Sequence, residues 1–220
     1  MSQLGMQLSG LYQNYRYEMV KNLLIFGCGY TARYLGKSLV NEGWEVAGTI
    51  RSIENREKLI KSGIRPVFWE DEEKIQNIMS SDCSVISSIP PNSNGDVVLS
   101  RYYDFMISRK KKLNWLGFLS STGVYGNRLG NWVTEESVTD TITANGRLRL
   151  KAEDNWLEFS RATKIPTFIF RIAGIYGPGR SVFDRIKNGK QKKIYKKNQY
   201  FNRIHVDDIV GAISTALKFP

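Results

Sequence analysis

A short apolar strand near the start of the chain runs directly into a glycine-rich turn and then into a helix. The strand covers 23–26, and residues 27–32 are Gly-Cys-Gly-Tyr-Thr-Ala. Gly27 permits a tight turn, Gly29 lets the backbone approach a ligand, and the small Ala32 lets helix and strand pack closely. The start of the helix, at Tyr30 and Thr31, offers unpaired N–H groups and the positive end of its dipole. The turn therefore predicts a site for the diphosphate of a nucleotide cofactor.

Short apolar runs and helical segments continue to alternate along the chain. Strands are expected at 46–50, 67–69, 84–89, 115–120 and 167–171, and helices at 31–42, 54–62, 72–79, 97–111, 146–163 and 206–217, with a polar loop over 127–143. Such alternation is typical of an α/β fold in which helices cover both faces of a parallel sheet. We predict a doubly wound parallel sheet, the Rossmann fold, for the whole of 19–220.

The end of the second predicted strand indicates which nicotinamide cofactor the site prefers. NAD-selective sites usually place an acidic residue there to hold the ribose 2′-hydroxyl. This chain has Arg51 and Ser52 instead, and an arginine fork suits a 2′-phosphate. We therefore predict NADP rather than NAD, although Arg51 could also be simply an exposed loop charge. Pro90, which follows the fourth strand, completes the predicted cofactor-binding set.

The net charge of +11 is concentrated in residues 109–112 and 187–197. Three interpretations remain open: a solvated basic face, a binding surface for a phosphate-bearing small-molecule substrate, or a nucleic-acid surface. Nucleic acid is the least favoured, because no recognition helix or base-stacking motif accompanies the charge. The sequence indicates no metal site and does not indicate the oligomeric state.

Several features indicate a cytoplasmic protein. No apolar run approaches the roughly 18 residues that a membrane-spanning helix needs, and residues 1–18 do not resemble a secretory signal. We interpret 1–18 as a disordered extension and Met19 as a candidate translation start. Cys28 and Cys83 lack paired spacing, so we expect reduced core thiols, with a redox role for Cys28 as the alternative.

Four separated motifs together resemble the extended or atypical short-chain dehydrogenases/reductases, also described as NAD-dependent epimerases/dehydratases. They are the glycine turn, 120–126 (Ser-Ser-Thr-Gly-Val-Tyr-Gly), 171–180 (Arg-Ile-Ala-Gly-Ile-Tyr-Gly-Pro-Gly-Arg) and 203–208 (Arg-Ile-His-Val-Asp-Asp). The resemblance implies that Ser121 is the catalytic hydroxyl, although Ser121 could also simply cap the end of a strand. It further implies that His205 has a structural role at the start of a helix.

The chain departs from the family pattern where the family carries Tyr-x-x-x-Lys. That pair supplies a tyrosine of lowered pKa for proton transfer. Alignment on Glu153 places Asn145 and Arg149 at the two positions, and a shift by two places Arg147 and Lys151 there. Arginine stays charged and cannot replace the tyrosine as a proton donor. Arg149 and Lys151 remain candidates for stabilising a developing oxyanion, with a basic outer helix face as the alternative.

The family also continues beyond the last helix with a further strand and a substrate-binding lobe. This sequence ends at Pro220. We therefore expect a truncated reading frame, an incomplete substrate lobe of which 181–204 is a part, and an open edge at the sixth strand.

Two functions from different classes follow from these observations. The first is an NAD(P)-dependent oxidoreductase or epimerase/dehydratase-like enzyme with an atypical active site, acting on a hydroxyl or carbonyl substrate such as a nucleotide sugar. The alternative, favoured by the missing tyrosine, is a non-catalytic NADP-binding module that senses redox state or binds a partner.

Overall fold

The computed structural model describes residues 21–189 and 200–220. The predicted disordered extension (1–18), the candidate start at Met19 and most of the basic stretch 187–197 lie outside the described residues. Within the described part, no helix combines the length and the apolar character needed to cross a membrane.

Six parallel strands form the central sheet. They are β1 (Asn22–Phe26), β2 (Glu45–Ile50), β3 (Arg65–Phe68), β4 (Cys83–Ser87), β5 (Leu113–Ser121) and β6 (Thr167–Ile172). Their order is β3-β2-β1-β4-β5-β6, so the direction of winding reverses between β1 and β4. Ligands of open α/β sheets bind at the carboxyl ends of the strands at such a reversal. The predicted doubly wound parallel fold is confirmed.

Helices cover both faces of this sheet. They are α1 (Tyr30–Asn41), α2 (Arg56–Ile60), α3 (Glu72–Met79), α4 (Val97–Ser108), α5 (Ala144–Thr163), α6 (Val182–Lys187) and α7 (Val206–Lys218). Alternate residues of β1 point to opposite faces. Phe26 belongs to one apolar cluster together with Trp156 of α5, whereas Ile25 belongs to a second cluster with Leu35 of α1 and Ile213 of α7. The sheet therefore separates two cores.

Several predicted elements end one to three residues earlier than expected, the fourth strand and the fourth helix among them. The fourth strand, expected over 84–89, ends at Ser87, the residue paired with Phe26 at the end of β1, after which β1 gives way to the glycine turn. The helix expected over 97–111 ends at Ser108, and the chain turns so that Lys112 O can accept from Cys83 N at 2.9 Å. The second correction follows from a contact between residues far apart in sequence.

Three short elements were not predicted. Strands β7 (Gly174–Tyr176) and β8 (Arg203–His205) pair in parallel apart from the main sheet, and helix α6 follows β7. Three-residue strands are too short to show an alternating pattern, so sequence periodicity could not find them. Within the described residues, β6 has a strand neighbour, β5, on one side only. The predicted polar loop over 127–143 contains no helix or strand, which confirms that prediction.

Candidate functional site

The glycine turn lies at the carboxyl end of β1, enclosed by the ends of two neighbouring strands. Gly27 has φ +79°, in the left-handed region, and a Cβ there would lie 2.7 Å from Cγ1 of Ile89. Its N–H donates to Oγ1 of Thr49 at 2.8 Å. Glycine is therefore required at position 27 by both backbone conformation and close packing.

Gly29 is glycine for a different reason. It is the N-cap of α1, and no side chain caps that helix. Among the described residues, a Cβ on Gly29 would meet no atom closer than Gly27 O at 4.0 Å. The first turn of a 12-residue helix thus faces open space with uncapped N–H groups. This cradle fits the diphosphate of a dinucleotide, whose negative charge the helix dipole would stabilise.

Three side chains of the turn, those of Cys28, Thr31 and Ala32, are buried. Thr31 and Ala32 are buried, so Thr31 can offer a ligand only its backbone N–H, and Ala32 lets α1 pack closely as predicted. Cys28 packs against Gly48 of β2, where an added Cβ would lie 2.8 Å from its Sγ. Both cysteines are free and buried, as predicted. Burial raises the pKa of the Cys28 thiol to about 12, which keeps it protonated at neutral pH and disfavours a redox role.

The other predicted cofactor residues line the same edge of the sheet. Arg51 directly follows β2 and is exposed. Ser52 caps a short 3₁₀ turn, and its Oγ accepts from Nδ2 of Asn55 at 3.3 Å. Pro90 is exposed in the loop after β4, next to the Ile89 that abuts Gly27. The structure therefore brings the ends of β1, β2 and β4 together around the turn.

Ser121 ends β5 at this same carboxyl edge, opposite Ile172 of β6. Its Oγ accepts from the Gly123 N–H at 3.1 Å and so caps a 3₁₀ turn over Thr122–Tyr125. The capping contact foreseen as the alternative role is therefore present. In this contact the Ser121 hydroxyl oxygen acts as an acceptor, so the contact does not use the hydroxyl proton, which can be donated to a ligand.

A buried ion pair lies directly beneath this serine. Glu153 of α5 is only 2% exposed and accepts from the Ser120 hydroxyl. Nη2 of Arg171 lies 2.8 Å from Oε2 of Glu153, and its Nε donates to the same oxygen at 3.1 Å. Nη1 of Arg171 also donates to the Tyr125 hydroxyl at 3.0 Å and to Glu135 O at 3.2 Å. The guanidinium of Arg171 thus connects β6 with α5, with the 3₁₀ turn over Thr122–Tyr125 and with the polar loop over 127–143.

Sequence reasoning missed the role of this pair. Glu153 served only to align the helix, and Arg171 was only the first residue of a motif. The sequence did carry an indication of it, because the acidic Glu153 follows the small Ala152 and lies on the same helix face as the apolar Trp156. A carboxylate on the core-facing side of a helix needs a cationic partner. The Glu153 carboxylate in turn raises the pKa of Arg171, which therefore stays charged.

Arg149 points inward beside this ion pair. Its guanidinium donates to Leu119 O of β5. Burial lowers the pKa of Arg149, and the carboxylates of Glu153 and Asp96 oppose that effect. Asp96 is itself buried and caps α4, because its Oδ1 accepts from the N–H groups of Val98 and Leu99, each at 2.9 Å. Burial raises the pKa of Asp96.

The remaining residues of the atypical helix segment point elsewhere. Asn145 is exposed, and Arg147 donates to Ile142 O in the preceding loop. Nζ of Lys151 donates to Ser93 O at 3.1 Å, in the loop between β4 and α4. The two candidates from this segment are thus separated: Arg149 lies against β5, and Lys151 is an exposed residue holding a loop.

His205 begins a helix, as the resemblance implied. It is the N-cap of α7, and its Nδ1 accepts from the Asp207 N–H at 3.3 Å. Asp207 and Asp208 occupy the first turn, where the helix dipole favours negative charge. His205 is therefore placed as a structural residue.

The basic residues 109–112 lie at the amino end of β5, on the edge of the sheet opposite to the glycine turn. They cannot line the candidate site. A groove of about 900 Å³ also lies on that opposite edge, among residues such as Asn22, Trp44 and Arg65. It is likewise separate from the candidate site.

No family model matches the chain. Protein YeeZ of Escherichia coli (strain K12) is 29% identical over 212 residues, covering 91% of this chain and 74% of YeeZ. A functionally unknown conserved protein from Silicibacter pomeroyi is 38% identical, with a TM-score of 0.83, covering 90% of this chain and 68% of that one.

More distant solved structures share the fold. UDP-glucuronic acid 4-epimerase from Bacillus cereus, in complex with UDP-glucuronic acid and NAD, has a TM-score of 0.66 at 18% identity, covering 90% of this chain and 73% of that one. UDP-glucose 4-epimerase from Thermotoga maritima, with UDP-glucose, has a TM-score of 0.63 at 20% identity. The match covers 87% of this chain and 71% of that one. The chain therefore belongs to the same family as the conserved Silicibacter pomeroyi protein, and it has the Rossmann fold seen in NAD-dependent UDP-sugar epimerases.

Proposed function

We propose that this protein is an NAD(P)-dependent enzyme of the epimerase/dehydratase type that acts on a hydroxyl or carbonyl group. The observation that carries the proposal is the uncapped start of α1 behind Gly29, which opens on the same sheet edge as Ser121. A dinucleotide held at the first would extend across the ends of β4 and β5 toward the second. Residues 19–220 would form one cofactor-binding domain, to which 181–204 adds part of the substrate lobe.

The cofactor would be held mainly by backbone. Gly27, Gly29 and the first N–H groups of α1, at Tyr30 and Thr31, would bind its diphosphate, with Ser52 and Pro90 beside the adenosine half. Exposed Arg51 supports NADP, because its guanidinium can donate two hydrogen bonds to a 2′-phosphate. When bound, the nicotinamide supplies a hydride donor or acceptor.

Ser121 would donate its hydroxyl proton to the reacting oxygen of the substrate. Its Oγ is held by the Gly123 N–H, which orients the O–H bond. The fold's UDP-sugar epimerases support a nucleotide sugar as the substrate class. Loss of a general acid–base group typically costs about 10²–10⁴ in rate. Since the tyrosine is missing, we expect slow turnover. Positively charged Arg149, which points inward, is the stronger candidate for stabilising an oxyanion, and exposed Lys151 is the weaker one.

Calorimetry with NADPH and NADH tests the cofactor assignment. Arg51→Ala should weaken NADPH binding about tenfold and leave NADH binding unchanged, because a charge-assisted contact to the 2′-phosphate is lost. Arg65→Ala, another exposed arginine but at the amino edge of the sheet, is the matched control. An unchanged preference in Arg51→Ala would remove the NADP assignment, and no binding of either coenzyme would overturn the proposed function.

Turnover of sugar nucleotides and small carbonyls tests the enzymatic assignment. Ser121→Ala should abolish turnover while coenzyme binding remains. Ser137→Ala, which removes another hydroxyl that accepts a backbone N–H, should change neither. Coenzyme binding without turnover of any substrate would favour the non-catalytic NADP-binding module, for which the missing tyrosine is the supporting feature. Steeply salt-dependent binding of DNA or RNA would favour the nucleic-acid alternative.

A further inference from the structure

The turn between β7 and α6, residues 177–180, packs directly on the first residue of α1. The Tyr30 hydroxyl donates to Pro178 O at 3.1 Å. Gly177 has φ +154°, and a Cβ there would lie 2.7 Å from the Tyr30 hydroxyl oxygen and 3.4 Å from Nε2 of His205. The turn is thus wedged between the glycine turn and the start of α7, although Tyr30 and Pro178 are far apart in sequence.

Arg180 ends this turn and extends over Tyr30. Its guanidinium carbon lies 5.2 Å from the centre of the Tyr30 ring, a cation–π contact. The backbone N–H of Arg180 donates to Gly177 O at 2.9 Å. The next residue, Ser181, caps α6 and forms a capping box with Asp184. The backbone is therefore fixed on both sides of Arg180.

Among the residues that the structure describes, the charged group of Arg180 has no acidic partner. Within residues 21–189 and 200–220, no carboxylate lies within 4.0 Å of its guanidinium nitrogens. An exposed guanidinium that rests on an aromatic ring can turn toward an anion without breaking an ion pair. Its anchored backbone keeps it beside the N-terminus of α1.

We propose that Arg180 is a second cofactor-binding residue, which donates its guanidinium N–H groups to the diphosphate of the dinucleotide held by the glycine turn. This inference rests on the proposed function. A diphosphate carries two negative charges, whereas the helix end supplies only about half a positive charge. Arg180 supplies a full charge and a planar set of donors that matches phosphate oxygens. Tyr30 holds the guanidinium in place before the ligand arrives.

Binding measurements with two fragments of the cofactor test this inference. ADP-ribose contains the diphosphate without the 2′-phosphate or the nicotinamide, and adenosine 2′-monophosphate contains the 2′-phosphate without the diphosphate. Arg180→Ala should weaken ADP-ribose binding about tenfold, because a charge-assisted contact is lost, and leave adenosine 2′-monophosphate binding unchanged. Arg180→Lys should show an intermediate loss, since lysine keeps the charge but not the fork.

Arg203→Ala is the matched control. Arg203 is also exposed and also lies over an aromatic ring, at 5.2 Å from Phe201, but it lies on β8 rather than over the glycine turn. Its loss should leave ADP-ribose binding unchanged. Equal ADP-ribose affinity in the wild type and Arg180→Ala would overturn the role of Arg180 and leave the proposed function standing. Failure of the wild type to bind ADP-ribose, NADPH and NADH would overturn both.

Discussion

The two halves of the candidate site are built in opposite ways. Around the glycine turn the functional groups are backbone N–H groups. They are accessible because, in the part of the chain that the structure describes, no side chain caps α1 and the nearest atom to a Cβ placed on Gly29 is Gly27 O at 4.0 Å. Around Ser121 the functional group is a side chain, and Glu153 and Arg171 hold the end of its strand. A backbone site thus needs empty space, whereas a hydroxyl site needs partners that fix its position.

This difference has an energetic consequence. Glu153 is buried, so the removal of its partner leaves a charge without compensation, which is costly in a medium of low dielectric. Gly29 faces solvent, and a methyl group there disturbs little of the fold. Mutations in the half of the site around Ser121 (the serine half) should therefore mainly lower stability. Mutations at Gly29 should mainly weaken ligand binding.

The largest effect is expected at Arg171. Arg171→Ala should lower the free energy of unfolding by about 3–5 kcal/mol, because the Glu153 carboxylate is left buried and unpaired. Urea denaturation measures this. Lys112→Ala is the control, since its pair with Asp82 is half exposed and should contribute less than about 1 kcal/mol. If Arg171→Ala were no more destabilising than this control, the serine half would not depend on the buried pair.

The next largest effect is expected at Gly27. Gly27→Ala should lower the free energy of unfolding by about 2 kcal/mol, because an L-residue in the left-handed region costs about 1–2 kcal/mol and the methyl group would also press on Ile89. Thermal or urea unfolding measures the change. Unaltered stability would show that the turn can relax away from Ile89, and that the close approach at position 27 is not required.

Gly29→Ala should separate ligand binding from stability. The free energy of unfolding should change by less than about 1 kcal/mol, the difference between glycine and alanine at an N-cap. Dinucleotide affinity should fall about tenfold, because the methyl group occupies the space through which the diphosphate approaches the backbone. Calorimetry with NADPH, run beside the unfolding series, checks both. Full affinity in this variant would contradict a diphosphate site at the turn.

The smallest effect is expected at Asp96 and appears only as a dependence on pH. Burial raises its pKa in the folded protein above the ordinary value of 3.8. The folded state therefore binds more protons than the unfolded state between these two pKa values, and this group makes stability fall as pH rises from about 4 through that window. Asp96→Asn keeps an oxygen for the Val98 and Leu99 N–H groups and removes the titration.

Urea denaturation at a series of pH values compares Asp96→Asn with the wild type. The free energy of unfolding of the variant, relative to the wild type, should rise as pH increases above about 4. Asn145→Ala, which changes an exposed residue of α5 without a titrating group, should show no such trend. Parallel stability curves for Asp96→Asn and the wild type would contradict a raised pKa at this position.

The sequence by itself determined the local half of this protein. The strand–turn–helix at 22–41, the alternation of elements, Ser121 at a strand end and Arg51 at the tip of β2 all follow from patterns within a few residues. Hydrophobic periodicity and glycine conformation act over that range, and for this reason these features were predictable. Even there, β7, α6 and β8 were too short to predict.

Only the tertiary structure decided which distant side chains meet. Glu153 reaches Arg171 because β6 lies next to β5 under α5, and Arg180 reaches Tyr30 because the turn after β7 folds back over α1. No local pattern encodes these contacts, since they depend on the order of strands in the sheet and on the packing of helices across it. A buried charge must find its partner through the fold, whereas a glycine turn is specified by its own backbone.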